Sequence, residues 1–107
     1  MQRLAIFGGT FNPIHWGHLL IAEAALTQFS LDAVIWVPTY QPPHKPASTL
    51  VEFHHRLAMV QQAIAPHSQF QFTAIEQTHA TPSHAIDTYH SLCTLHPNTQ
   101  WYWILGL

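Results

Sequence analysis

His15 and His18 stand three residues apart at the end of GGTFNPIHWGH, a stretch running from Gly8 to His18. Glycine, proline and asparagine all weaken regular structure in element interiors, so the stretch reads as a built turn rather than as part of a core. Histidines three apart at a helix start share one face, where both rings can point back toward the turn and donate hydrogen bonds. Gly8 and Gly9 let a ligand approach the main chain closely, and a helix beginning between Ile14 and Gly17 would aim its free amides at the same point. A phosphate fits those donors. Neither G-x-G-x-x-G nor G-x-x-x-x-G-K-[ST] can be read here, so this is a different kind of phosphate site. Metal ligation is a second reading, since the chain has ten histidines, His54 and His55 among them, but no third ligand stands at a helpful spacing. A structural role for the pair is a third, and the other histidines are expected at surfaces or helix ends.

Two cations could serve the same chemistry. Lys45, in PPHK, is the only lysine and sits on a proline-stiffened loop, where it either contacts phosphate or is simply solvated. Arg56 follows that loop and could bind a ligand, cap a helix or pair with Glu52 four residues earlier.

These residues need elements to position them, and the chain alternates between two periods. RLAIF (Arg3 to Phe7), AVIWVP (Ala33 to Pro38), FQFTAI (Phe70 to Ile75) and WYWILGL (Trp101 to Leu107) read as strands. HLLIAEAALTQF (His18 to Phe29), FHHRLAMVQQAI (Phe53 to Ile64) and HAIDTYHSLCTL (His84 to Leu95) read as helices. The order β-α-β-α-β-α-β predicts an α/β fold with a parallel sheet, helices on its faces and right-handed crossovers. Ligands of such sheets bind outside the carboxyl ends of the strands, where the Gly8–His18 turn would lie. The segment from Thr39 to Glu52 is the longest irregular piece, and long loops in compact domains are more often functional than idle.

Composition narrows the partners. The 107 residues make one small domain, 48% hydrophobic and only 7% charged, against about 25% charged in an ordinary globular protein. Arg3, Lys45 and Arg56 are its only permanent cations and the net charge is −2, so there is no basic field to grip a nucleic acid. Cys93 is a lone cysteine, and neither a signal-peptide pattern nor an apolar run of ~18 residues is present, so no membrane association is expected and the cytoplasm is the default setting.

GGTFNPIHWGH resembles the H-x-G-H signature of the nucleotidyltransferase superfamily, and its longer form resembles that of nicotinate-mononucleotide adenylyltransferases. VPTYQPPHK (Val37 to Lys45), RLAM (Arg56 to Met59) and PSHAIDT (Pro82 to Thr88) are similar to that family's next three segments, in order, so the likeness spans most of the chain. Pantetheine-phosphate adenylyltransferases, a neighbouring branch, typically carry threonine where His15 stands.

The resemblance implies a Rossmann-like nucleotidyltransferase fold and transfer of AMP from ATP to nicotinate mononucleotide, giving deamido-NAD and pyrophosphate without a covalent enzyme intermediate. It implies that Gly8, Gly9, Thr10, Phe11 and Asn12 line the ATP phosphates, that His15 and His18 stabilise charge developing on the triphosphate, and that Lys45 adds a movable cation. Mg2+ would bridge phosphate oxygens. Lys45, Arg56, Ser83, His84 and Thr88 would serve the mononucleotide. Asn12 stands where the family often has aspartate, and His84 and Ala85 replace the usual tyrosine and threonine, which bears on recognition of the nicotinate carboxylate. Nicotinamide mononucleotide or phosphopantetheine as acceptor, or a non-catalytic nucleotide-binding fragment, are the alternatives, and a homo-oligomer is compatible with all of them.

Family members run to roughly twice this length, with a late S-x-T-x-x-R motif for ATP that is not present here. Residues 1–107 are therefore expected to form the front half of a single nucleotidyltransferase domain, incomplete at its C-terminal end. Trp101, Trp103 and Leu105 would share one face of the last strand and Tyr102 and Ile104 the other, leaving an open apolar edge.

Overall fold

The computed structural model describes residues 1–40, 52–78 and 85–104. In chain order they form β1 (Gln2–Gly9), α1 (Trp16–Gln28), β2 (Ala33–Pro38), α2 (Phe53–Ile64), β3 (Phe70–Phe72), a 3-10 turn (Ile75–Thr78), α3 (Ala85–Leu95) and β4 (Thr99–Ile104). The four strands make one parallel sheet in the order β3-β2-β1-β4.

Alternation along the strands explains the layers. Ala5 and Phe7 of β1 and Val34 and Trp36 of β2 face one side, where Ala22 of α1 and Val60 and Ile64 of α2 complete a buried cluster. Leu4, Ile6, Ala33, Ile35 and Val37 face the other side and meet Leu92 of α3, with Tyr89 and Trp101 packed at its margin. Every residue of β2 is buried, as a central parallel strand covered on both faces requires. Helices therefore lie on both faces of the sheet, as the sequence predicts.

The strand order places the site. From β1 the chain steps to β2 and on to β3, then crosses back over α3 to pair β4 with the opposite edge of β1. The order thus reverses beside β1, and in open parallel sheets the crevice at that reversal is where ligands enter. The Gly8–His18 turn leaves β1 at that point.

The sequence expectation for the third strand needs correction, because β3 stops at Phe72 rather than continuing to Ile75. The Thr73 amide still donates to the Trp36 carbonyl at 3.0 Å, but the Thr73 hydroxyl then accepts from the Ile75 amide at 3.2 Å. That local bond turns the backbone into the 3-10 turn. Helix α1 begins two residues earlier than its apolar pattern suggests, for a reason that lies in the site. In β4, Trp101 and Tyr102 are half-buried and Trp103 is exposed, and among the described strands β4 is an edge. Residues 105–107, which complete the expected apolar strand, lie outside the described residues.

Candidate phosphate-binding site

The turn is shaped by an aromatic ring folding back beneath it. Phe11 has a positive φ of 47° and is only 2% exposed, packed edge-on to Phe7 at 5.5 Å between ring centres and tilted against Trp36 at 5.4 Å. A Cβ on Gly9 would come within 3.3 Å of that ring, so this glycine makes room for Phe11. Gly8 is exposed, and a Cβ there would meet nothing closer than the Val37 carbonyl at 3.9 Å, leaving its outward side open. Thr10 and Asn12 are half-buried, and the Asn12–Pro13 peptide is cis. Since the Phe11 ring is in the core, only its main chain is available to a ligand.

Helix α1 is capped by its own histidines. His15 is the N-cap residue, in extended conformation, and its Nδ1 accepts from the Gly17 amide at 3.1 Å. In return His18 Nδ1 accepts from the His15 amide at 3.0 Å. This is the reciprocal arrangement of a capping box, with imidazole nitrogens in place of the usual hydroxyl and carboxyl oxygens. It explains why the helix starts at Trp16. It also explains the glycine between the histidines, because a Cβ on Gly17 would sit 3.0 and 3.1 Å from the His15 ring.

The caps fix the proton positions. A ring nitrogen that accepts from an amide carries a lone pair, so each imidazole holds its proton on Nε2. The rings stack with centres 3.8 Å apart, an arrangement that two imidazolium ions would oppose by mutual repulsion. His18 titrates below its ordinary value of 6.5, chiefly because burial disfavours its charged form and secondarily because His15 lies beside it. Above pH 6.5 the neutral ring and its cap are intact. As pH falls from there through the lowered folded-state value, the unfolded chain takes up the proton more readily and the contribution to stability is lost. What the turn presents is thus a pair of Nε2–H donors above the end of β1, a preorganised arrangement for negative charge.

The other sequence candidates fall in different surroundings. Arg56 is in the first turn of α2, 1% exposed, and donates to the carbonyls of Thr10 at 2.9 Å, Thr39 at 2.7 Å and Tyr40 at 3.3 Å. Burial lowers its pKa, which for a guanidinium still leaves it charged. Thr88 is buried on α3, and its hydroxyl donates to the buried carboxyl of Glu76 in the 3-10 turn. Lys45, Ser83 and His84 lie outside the described residues. The structure therefore brings His15, His18, Gly8, Gly9, Thr10 and, from beneath, Arg56 to one corner, while Thr88 belongs to the corner that leads into α3.

Glu76 is absent from the sequence candidates because it lies one residue past FQFTAI, the run read as a strand, and no motif surrounds it. An acidic residue immediately past a strand's carboxyl end is the one signal that could have singled it out. Among the described residues no three His, Cys, Asp or Glu side chains come together to hold a metal ion. The corner offers amide and imidazole donors, which suits a divalent cation carried on phosphate oxygens rather than one held in a protein cage. No described helix is long and apolar enough to cross a membrane.

Comparison with known proteins places this corner in context. Residues 6–107 match the family model described as Cytidylyltransferase-like. The chain is 57% identical over 107 residues to a "Probable nicotinate-nucleotide adenylyltransferase" of Trichormus variabilis and 55% identical over the same length to one of Nostoc sp., in each case covering all of this chain and 50% of the relative. It thus spans about half the length of the curated relatives it matches. Among solved structures, Plasmodium falciparum nicotinic acid mononucleotide adenylyltransferase complexed with NaAD superposes with a TM-score of 0.80 at 23% identity, covering 99% of this chain and 52% of that one. The same enzyme complexed with APC gives 0.75 at 24%, covering 99% and 51%. Those two likenesses establish the fold.

Proposed function

The chain belongs to the cytidylyltransferase-like family, and from that premise we propose that it supplies the catalytic phosphate corner of a nicotinate-nucleotide adenylyltransferase in NAD biosynthesis. The reaction is transfer of AMP from ATP to nicotinate mononucleotide. A phosphate oxygen of the mononucleotide attacks the α-phosphorus, the bond to the α,β-bridging oxygen breaks, and pyrophosphate leaves with the electron pair. No covalent enzyme intermediate is needed, so catalysis consists of positioning and charge stabilisation.

The observation that carries this reading is the pair of capped imidazoles. Both Nε2–H groups are fixed by main-chain bonds on their opposite nitrogens, and both sit at the point where the strand order reverses. In this reading His15 and His18 donate to triphosphate oxygens as charge moves onto the leaving pyrophosphate, while Gly8, Gly9 and Thr10 run along the phosphates. Lys45 adds a cation from the loop after β2, and Ser83 and His84 serve the acceptor's ring, while the buried Thr88 hydroxyl is held by Glu76. Mg2+ would enter with the nucleotide and neutralise part of its charge. The names of the relatives at 57% and 55% identity support the choice of acceptor, as does PPHK in the sequence. A cytoplasmic location fits such a metabolic role.

The test compares kcat/KM for nicotinate mononucleotide, nicotinamide mononucleotide and phosphopantetheine, each with ATP and with pyrophosphate release as the signal. It is run on this chain and on any longer product of its gene. Preference for nicotinate mononucleotide is expected. Preference for phosphopantetheine would overturn the assignment, and preference for the amide would show that His84 and Ala85 have reshaped the acceptor pocket.

A further inference from the structure

We propose that Arg56 is a positioning residue: its buried guanidinium fixes the main chain of the phosphate turn against the exit of β2, so that the turn meets a triphosphate in a single conformation. The inference rests on the phosphate reading of that turn.

Thr10 is the first residue beyond β1, and Thr39 and Tyr40 are the first two beyond β2. Their carbonyls lie past the last strand pairing, Gly9 with Pro38, so the sheet ladder does not satisfy them. Arg56 Nη1 spans Thr10 and Thr39 at 2.9 and 2.7 Å, and Nη2 reaches Tyr40 at 3.3 Å. The Thr39 amide donates to the Gly9 carbonyl at 2.9 Å, a second tie between the same two segments. Beneath the guanidinium lies the Phe53 ring, its centre 5.5 Å from Cζ, and Phe53 is itself buried.

Taking a guanidinium out of water is costly, and such a charge persists in a fold only where hydrogen bonds use its donors well. Three carbonyls fanned around one planar fork meet that condition. At 1% exposure, with its described bonds all to main chain, the group reaches a ligand through Thr10 rather than by touching it. The turn is then pinned twice, by the Phe11 ring below and by the guanidinium at Thr10. Gly9 and its neighbouring amides are what that pinning holds still.

Arg56→Lys tests the idea because it keeps the charge but replaces a fork by a point donor that cannot span three carbonyls. In an active protein kcat should fall on the order of 10–100-fold, the size of effect expected for a small misplacement of reacting groups, with KM for the mononucleotide unchanged. In the ligand-free chain, amide hydrogen exchange at Gly9, Thr10 and Phe11 should quicken while exchange in the interior of α2 does not. A raised mononucleotide KM with kcat retained would overturn the proposal by making Arg56 a direct ligand contact. So would a lowered melting temperature with unchanged kcat per folded molecule, which would leave it a purely structural role. If the unsubstituted protein fails to turn over nicotinate mononucleotide, the functional reading falls, yet the exchange measurement still decides the clamp: unchanged exchange in Arg56→Lys contradicts it.

Discussion

At the β1–α1 corner, side chains bond to main chain: two imidazoles cap the helix that follows them, and a guanidinium gathers three carbonyls. At the corner leading into α3, a side chain bonds to a side chain, the Thr88 hydroxyl to the Glu76 carboxyl, both buried. The two corners sit at the same end of the sheet yet do different work. Bonds to main chain fix the path of the turn and leave the far edge of each imidazole, its Nε2–H, for a ligand. The Thr88–Glu76 bond staples α3 to the 3-10 turn and consumes the hydroxyl it uses. A corner built to present donors thus stands beside one built to brace.

The largest expected effect tests presentation. In an active protein, His18→Ala should lower turnover on the order of 10²–10³ with mononucleotide affinity nearly unchanged, as for a donor acting mainly in the transition state. His18→Gln should lose a similar share of turnover but keep the reciprocal cap, because a glutamine oxygen at this helix position can accept from the His15 amide. Only the alanine variant should therefore also lose stability, by about 0.5–2 kcal/mol in chemical denaturation. Equal stability loss in both would mean that the cap is not what His18 contributes.

The bracing corner responds differently. Thr88→Val should destabilise by about 1–3 kcal/mol by leaving the buried Glu76 carboxyl short of a donor, and Thr88→Ser should restore most of that. If Thr88→Val instead left stability alone and weakened acceptor binding, Thr88 would belong to presentation and the contrast between the corners would collapse.

Gly17→Ala sharpens the contrast through a sign. In an ordinary helix position the change would stabilise by about 0.5–1 kcal/mol. Here the added Cβ meets the His15 ring at 3.0 Å, so displacement of the cap should make the variant less stable than the parent. A rise in melting temperature would show that the ring moves aside freely.

These features were unequally legible in the sequence. The bounds of β2 and α2 could be read directly, because AVIWVP is a continuous apolar run and FHHRLAMVQQAI keeps helical spacing. FQFTAI outlasts the strand it marks, since the Thr73 hydroxyl redirects a backbone whose side-chain pattern still resembles a strand. Histidine as a helix cap escapes rules built on Ser, Thr, Asp and Asn, although HWGH already held the glycine its ring requires. The burial of Arg56 had no local signal at all, for its acceptors lie 46, 17 and 16 residues away. Chemistry carried by spacing within one turn was visible, and chemistry assembled by the fold was not.

The central claim is that the turn holds both imidazoles by Nδ1 and presents their Nε2–H groups to a phosphate. Nitrogen-detected NMR of the two rings tests it most directly, recorded at neutral pH, through a titration downward and after addition of ATP. The account predicts a protonated Nε2 and an unprotonated Nδ1 for both His15 and His18, a His18 titration midpoint below 6.5, and ATP-induced shifts centred on the Nε2 resonances. A proton on Nδ1 of either ring at neutral pH, or Nε2 resonances indifferent to ATP, would contradict it.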